Sequence, residues 1–170
     1  GVVEMITSDH SPSPASMKGT NLMTAWGGIN ALQFTLQAVL TAAQRRRELM
    51  GWQDLAEDGS GKVNWKPIIL KVAQWMSTAP ARLAGIDDRK GSIAIGKDAD
   101  LVVVEPEEMV SVVLSDMEVK NKISPFNMEN LNGRVRMTML RGQIVFDGET
   151  KQFGEGPAGE LLLHRRHPVM

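Results

Sequence analysis

An α/β fold is the expectation from three features of this 170-residue chain: a short apolar run ending in a polar burst, two stretches of helical periodicity, and strand-like alternation beyond Lys90. The run Val2-Val3-Glu4-Met5-Ile6 reads as a buried strand, and Thr7-Ser8-Asp9-His10-Ser11-Pro12 reads as its polar exit into a turn. After a loop rich in Ser, Pro and Gly, apolar residues recur at Ile29, Leu32, Leu36, Leu40 and Ala43. With Gln33, Gln37, Gln44 and Glu48 interspersed, that spacing predicts an amphipathic helix. Arg45-Arg46-Arg47 fall in its last turns, where cations favour the negative end of the helix dipole, and Gly51 is a stop signal. The acidic stretch Glu57-Asp58-Gly59-Ser60-Gly61, between Asp54 and Lys66, predicts an exposed loop. A second helix is expected from Pro67, tolerated in a first turn, through Ile68, Val72, Trp75 and Met76, with Pro80 breaking or kinking it before Leu83 and Gly85. Strands are expected at Leu101 to Val104, Val110 to Leu114, Val135 to Leu140 and Gln143 to Phe146. Arg141-Gly142 has the length of a hairpin connection, and Asp147-Gly148 closes the last run.

Composition narrows the function classes. With 42% hydrophobic and 23% charged residues the chain can bury a sizeable core, which excludes disordered and fibrous classes. A formal net charge of −1 gives no field to gather phosphates, and the one basic cluster is explained by its helix end, so nucleic acid is not an expected partner. The absence of cysteine removes disulfide frameworks, thiolate zinc sites and thiol nucleophiles. No stretch reaches the ~18 apolar residues of a membrane span, and the segment from Leu32 to Ala43 is interrupted by Gln33, Thr35, Gln37 and Thr41. A start at Gly1, directly before an apolar run, points to truncation.

Chemistry is concentrated at Asp9. An aspartate just after a buried strand occupies the position where barrel enzymes hold catalytic groups, because a strand end fixes the side chain and the loop gives access. Its carboxylate suits Zn²⁺ or Mn²⁺ and can accept a proton from water, so one residue can be ligand and base. Residue type and position alone also allow a plainer role, in which Asp9 bonds the backbone of a Ser-Pro turn and His10 is a hydrogen-bonded loop histidine.

The longer string decides between them. Ser8-Asp9-His10-Ser11-Pro12, Met17-Lys18-Gly19, Asn21-Leu22-Met23, Ala25-Trp26-Gly27-Gly28-Ile29 and Leu32-Gln33 together resemble the end of the allantoinase barrel. Thr78-Ala79-Pro80-Ala81, Leu83-Ala84-Gly85 and the run from Lys90 to Val103 are similar to the segment by which cyclic-amide amidohydrolases return to a small β domain. Ser124-Pro125-Phe126, Gly133-Arg134-Val135 and Leu140-Arg141-Gly142 extend the likeness through the tail. The resemblance implies a fold: residues 1–88 as the C-terminal end of a (β/α)8 hydrolase barrel, and residues 89–170 as returning strands of a composite β-sandwich with its tail. It also implies a reaction, the hydrolysis of allantoin to allantoate.

By that resemblance two divalent metal ions, zinc being the expected metal, share a bridging hydroxide. Asp9 is the matching ligand and proton carrier, His10 supports it, and Ser11, Trp26 and Gly27 contact the substrate. Dihydroorotases place a histidine right after the proline, where Ser13 stands here. Dihydropyrimidinases and hydantoinases carry a Cys-Pro-Phe type run and an Asn-Gly-Gly where this chain has Trp26-Gly27-Gly28. Allantoinase therefore leads, with dihydropyrimidinase, hydantoinase or dihydroorotase as alternatives and a catalytically inactive scaffold as the reading from another class. A homo-oligomer, specifically a tetramer, and a cytoplasmic or peroxisomal setting are further family expectations, although the last residues form no Ser-Lys-Leu address. The remaining ligands of the family site, a His-x-His pair, a lysine and two further histidines, have no counterpart here, where the histidines are His10, His164 and His167.

The tail motifs read as structural: Gly91 and Gly96 suit tight turns, and Asp98 and Asp100 suit backbone bends. Trp52, Trp65, Trp75 and the methionines read as packing residues. His164 and His167, beside Arg165 and Arg166, read as solvent-exposed.

Overall fold

The computed structural model describes residues 2–46 and 63–163. The expectations for Arg47 to Gly51, Trp52, the acidic loop through Gly61, His164 and His167 lie outside the described residues. The chain divides into two compact units, one comprising residues Thr7–Trp65 and Pro106–Gly133 and the other Gly1–Ile6, Lys66–Glu105 and Arg134–Met170.

In the first unit a 3-10 turn, Leu32–Phe34, leads into helix α1, Thr35–Arg45. Its buried residues are Phe34, Gln37, Leu40, Thr41 and Ala43; Leu40 and Ala43 belong to the stripe that periodicity predicts, while Leu32 is 64% exposed and Gln37 and Thr41 are buried beside them. Thr41 is held inward by hydrogen bonds, whereas the Gln37 Oε1 is buried with no partner among the described residues. The Thr41 hydroxyl donates to the Gln37 carbonyl at 2.7 Å and accepts the Asn132 N–H at 2.8 Å, which satisfies groups that would otherwise oppose burial. The core of this unit joins Phe34 to Val112, Met117 and Leu131, and the ring of Phe126 meets Phe34 edge-on at 6.4 Å.

In the second unit helix α2, Trp65–Ala73, begins two residues before Pro67 and passes through a π turn, Gln74–Thr78, into α3, Ala79–Ala84. Pro80 does not end the helix. The wide turn directly before it accommodates a residue with no N–H, and Pro80 sits in the first turn of α3, where none is needed. Ile68, Val72, Trp75 and Ala81 form the buried stripe. Gly85 closes α3 in the left-handed conformation, φ 68°.

One sheet has the order β1-β2-β3-β4, with β1 at Leu101–Ser111, β2 at Asn130–Leu140, β3 at Gln143–Asp147 and β4 at Gln152–Phe153. The two strands expected at 101–104 and 110–114 merge into β1 across Pro106, which an edge strand tolerates because it need not donate on its open side. Leu114 falls instead in a 3-10 turn, Leu114–Asp116. The β2–β3 hairpin is as expected: Leu140 pairs with Gln143, and Arg141 and Gly142 both have positive φ, 47° and 80°, the signature of the turn that matches strand twist. Strand β4 carries no alternation a sequence reader could see, but Phe153 pairs with Phe146 and their rings lie 5.2 Å apart.

One expectation is corrected. Val2 to Ile6 is neither a strand nor buried, and Val2 is 102% exposed. A strand buried on both faces needs neighbours to complete its ladder, and among the described residues this segment has only the Ile6 N–H, donated to the Trp75 carbonyl at 3.1 Å.

Candidate functional site

Asp9 stands at φ 42°, a left-handed conformation uncommon for any residue but glycine and best tolerated by Asp and Asn. Its side chain is exposed, and among the described residues it has no hydrogen-bond or ion-pair partner. A bond to the Ser-Pro turn, the plainer role for this residue, is therefore not made.

The chain leaves Asp9 into an eighteen-residue loop, 11–28, whose two ends are tied together. His10 and Ile29 form a parallel bridge, and the Ser11 N–H donates to the Ile29 carbonyl at 3.0 Å. The His10 ring accepts at Nδ1 from the N–H groups of Ala31 at 3.3 Å and Leu32 at 3.1 Å. That use of Nδ1 puts the ring proton on Nε2. It anchors the residue after Asp9 to the start of the 32–34 turn, and the His10 ring makes no hydrogen bond to Asp9.

Ser11, Trp26 and Gly27 come together. The Trp26 indole N–H donates to the Ser11 carbonyl at 3.2 Å, and its backbone N–H donates to the Met17 carbonyl at 2.8 Å. Gly28 lies so close that an added Cβ would stand 2.2 Å from the Ser11 carbonyl oxygen, so only glycine fits there. Gly27 has open space around it, is exposed, and its peptide groups have no partner among the described residues. The loop thus offers a free backbone donor near a half-exposed indole.

The surroundings of two further residues are read only from the structure. Lys18 donates from Nζ to the Trp26 carbonyl at 2.9 Å and also to the Gly28 carbonyl. Ser13 is 3% exposed, with its hydroxyl buried and unpartnered. Sequence places Lys18 within the Met17-Lys18-Gly19 match and Ser13 where dihydroorotases carry a histidine, but it shows neither the contacts of the one nor the burial of the other.

Asp9 presents an accessible carboxylate with no partner among the described residues. Among the described residues no group of three or more His, Cys, Asp or Glu side chains could hold a metal ion, so a dinuclear centre is not completed by them. The perturbed ionisations lie elsewhere. Lys90 bridges Asp98, at 2.8 Å, and Asp100, while Arg89 pairs with Glu160 at 3.0 Å and Asp98 at 2.9 Å. Lys90 and Arg89 hold the Asp98 carboxyl below its ordinary range. Burial pushes Asp100 upward, but Lys90 and the Arg141 N–H outweigh it. Asp98 and Asp100 are therefore structural, though through ion pairs more than local bends. Trp65 and Trp75 are buried as packing residues, and Gly91 and Gly96 take positive φ in turns. No helix among the described residues is long and apolar enough to cross a membrane.

Comparison with known proteins agrees with the resemblance read from the sequence. The chain is 36% identical to an allantoinase of Streptomyces avermitilis over 163 residues, covering 95% of this chain and 31% of that protein. It is 32% identical to an allantoinase of Escherichia coli, covering 96% and 32% respectively. Among solved structures it is similar to an L-hydantoinase (dihydropyrimidinase) from Arthrobacter aurescens, with a TM-score of 0.70 at 25% identity over 96% of this chain and 31% of that one. A D-hydantoinase (dihydropyrimidinase) from Thermus sp. gives 0.68 at 25% identity, over 89% and 29%. The chain spans about a third of the length of these curated relatives. The model of the amidohydrolase family matches residues 5–145, and the chain belongs to that family.

Proposed function

We propose that this chain forms the C-terminal part of a metal-dependent cyclic amidohydrolase that opens allantoin to allantoate, with residues 1–88 ending its barrel and residues 89–170 contributing to a composite β-sandwich. The carrying observation is the Asp9 carboxylate, accessible and unpaired on a left-handed backbone, beside a loop that presents a free peptide group at Gly27.

Opening a cyclic amide adds water to the carbonyl carbon, breaks the ring C–N bond and leaves the nitrogen to take a proton. Asp9 accepts the proton that water gives up and returns it to the departing nitrogen. Two divalent cations, zinc by expectation, supply an acidified water and a polarised carbonyl when bound. Asp9 offers one ligand to them, and the other ligands come from outside the described residues. The backbone of Ser11 and Gly27 holds the planar ureide edge, Trp26 covers it, and His10 keeps Asp9 in place through the bridge to Ile29. Ser13 in place of a histidine leaves no cation for a substrate carboxylate, which favours a neutral ureide. The substrate is a small molecule, and the assembly a homotetramer in the cytoplasm.

Hydantoinase or dihydropyrimidinase activity is the second reading, favoured by the likeness to the solved hydantoinases. Assay of the full-length protein that carries this chain, on allantoin, hydantoin and dihydrouracil with and without a chelator, separates the two. Allantoin should be the best substrate, the chelator should abolish turnover, and Asp9→Asn should lower it by about a thousandfold without changing the melting temperature. Preference for hydantoin selects the second reading, and no turnover on any of the three selects an inactive scaffold.

A further inference from the structure

The turn at Trp26, Gly27 and Gly28 is clamped by one ammonium group. Lys18 Nζ reaches the carbonyls of both Trp26 and Gly28, and the Met17 carbonyl, one residue before it, receives the Trp26 N–H. With the indole N–H on Ser11 and Gly28 packed against Ser11, the turn is held from both sides. The peptide joining Trp26 to Gly27 is trans, so its C=O and N–H point in opposite directions. Its C=O is bound by Lys18, and its N–H is therefore directed away from Lys18, where Gly27 is exposed and has no partner among the described residues. A charged donor on the carbonyl also polarises the peptide and strengthens the N–H at its other end.

From this geometry we infer that Lys18 is a positioning residue for the substrate: by holding the carbonyls of Trp26 and Gly28 it presents a polarised Gly27 N–H to a carbonyl oxygen of the cyclic ureide. The inference rests on the hydrolase reading above. The loop does not depend on Lys18 for closure, because the Ser11 to Ile29 and Trp26 to Met17 backbone bonds remain without it. Its removal should therefore reach substrate binding before it reaches folding.

Steady-state kinetics on the full-length protein carrying Lys18→Met and Lys18→Arg supply the test, with Gly27 amide resonances of the present chain as a readout independent of turnover. Lys18→Met should raise KM for allantoin by about tenfold with kcat changed far less, and Lys18→Arg should recover most of the loss. The Gly27 amide proton should move upfield in Lys18→Met and return in Lys18→Arg. A wild-type KM in Lys18→Met, or a loss confined to kcat, overturns the inference, as does an unmoved Gly27 resonance. A wild-type enzyme that turns over no cyclic amide removes the hydrolase reading and the substrate role with it, while a shifted Gly27 resonance would still leave the Lys18 clamp standing.

Discussion

Asp9 shows how a single backbone angle and a single carboxylate can be separated by experiment. At φ 42° the position disfavours most side chains, but Asn adopts the left-handed region as Asp does, so Asp9→Asn removes the charge and keeps the geometry. That is why its stability should be unchanged where its activity is lost. Ser13 makes the opposite kind of prediction. Its hydroxyl is buried without a partner, so replacing it by alanine removes an unsatisfied polar group and should be neutral or stabilise the chain by up to about 1 kcal/mol. Ser13→His should instead destabilise, because a position only 3% exposed has no room for an imidazole; chemical denaturation of the two variants measures both signs. At this scale Asp9 was singled out by the ordered match from Ser8 to Gln33, since residue type and position alone also allowed a bond within the Ser-Pro turn. Lys18 was not, since its role requires residues eight and ten positions away to fold back onto it.

Among the elements, the helices show where periodicity succeeds and where it misleads. The apolar stripe predicts α1 correctly as a helix with Leu40 and Ala43 buried, but Thr41 also turns inward, where its hydroxyl accepts the Asn132 N–H, and Leu32 is left outside. No count of apolar spacing anticipates a hydrogen bond from a strand ninety-one residues away. The segment around Gly91 gives a sharper test. Gly91 has φ 83°, an added Cβ would lie 2.5 Å from the Ala81 Cβ and 2.9 Å from the Ser77 carbonyl oxygen, and its own carbonyl accepts the Thr78 hydroxyl at 2.8 Å. Gly91→Ala should therefore destabilise by about 2 kcal/mol or more, whereas Gly96→Ala, with open space at φ 87°, should incur the backbone penalty alone. Thermal melts of the pair distinguish close packing from backbone strain. The turn role of both glycines was readable from sequence; the packing of α3 against one of them was not.

At the scale of the whole molecule, charge ties distant stretches of the second unit together. Asp98, Asp100 and Glu160 all titrate below their ordinary ranges because Lys90, Arg89 and the Arg141 N–H hold their charged forms. A carboxyl with a depressed folded pKa contributes stability above its unfolded pKa and loses it as pH falls through the folded value. The chain should thus lose stability on acidification below the ordinary carboxylate range. Lys90→Met, which removes the cation shared by Asp98 and Asp100, should lower stability near pH 7 and reduce that loss on acidification, because the folded pKa values then lie closer to the unfolded ones; denaturation midpoints measured from pH 7 to 3 would show it. Equal acid profiles in the two proteins would remove these pairs from the account. A second expectation at this scale is that the 170-residue chain alone neither binds two metals tightly nor hydrolyses allantoin, and metal-dependent turnover by the purified chain would contradict it. By itself the sequence determined the α/β class, the β2–β3 hairpin and the family, because each rests on neighbours along the chain. Only the tertiary structure decided which face of α1 is buried, that a helix runs through Pro80, and that Lys18 clamps the turn at Gly27. Those outcomes depend on hydrogen bonds and close packing between residues brought together by folding, and local spacing carries no record of them.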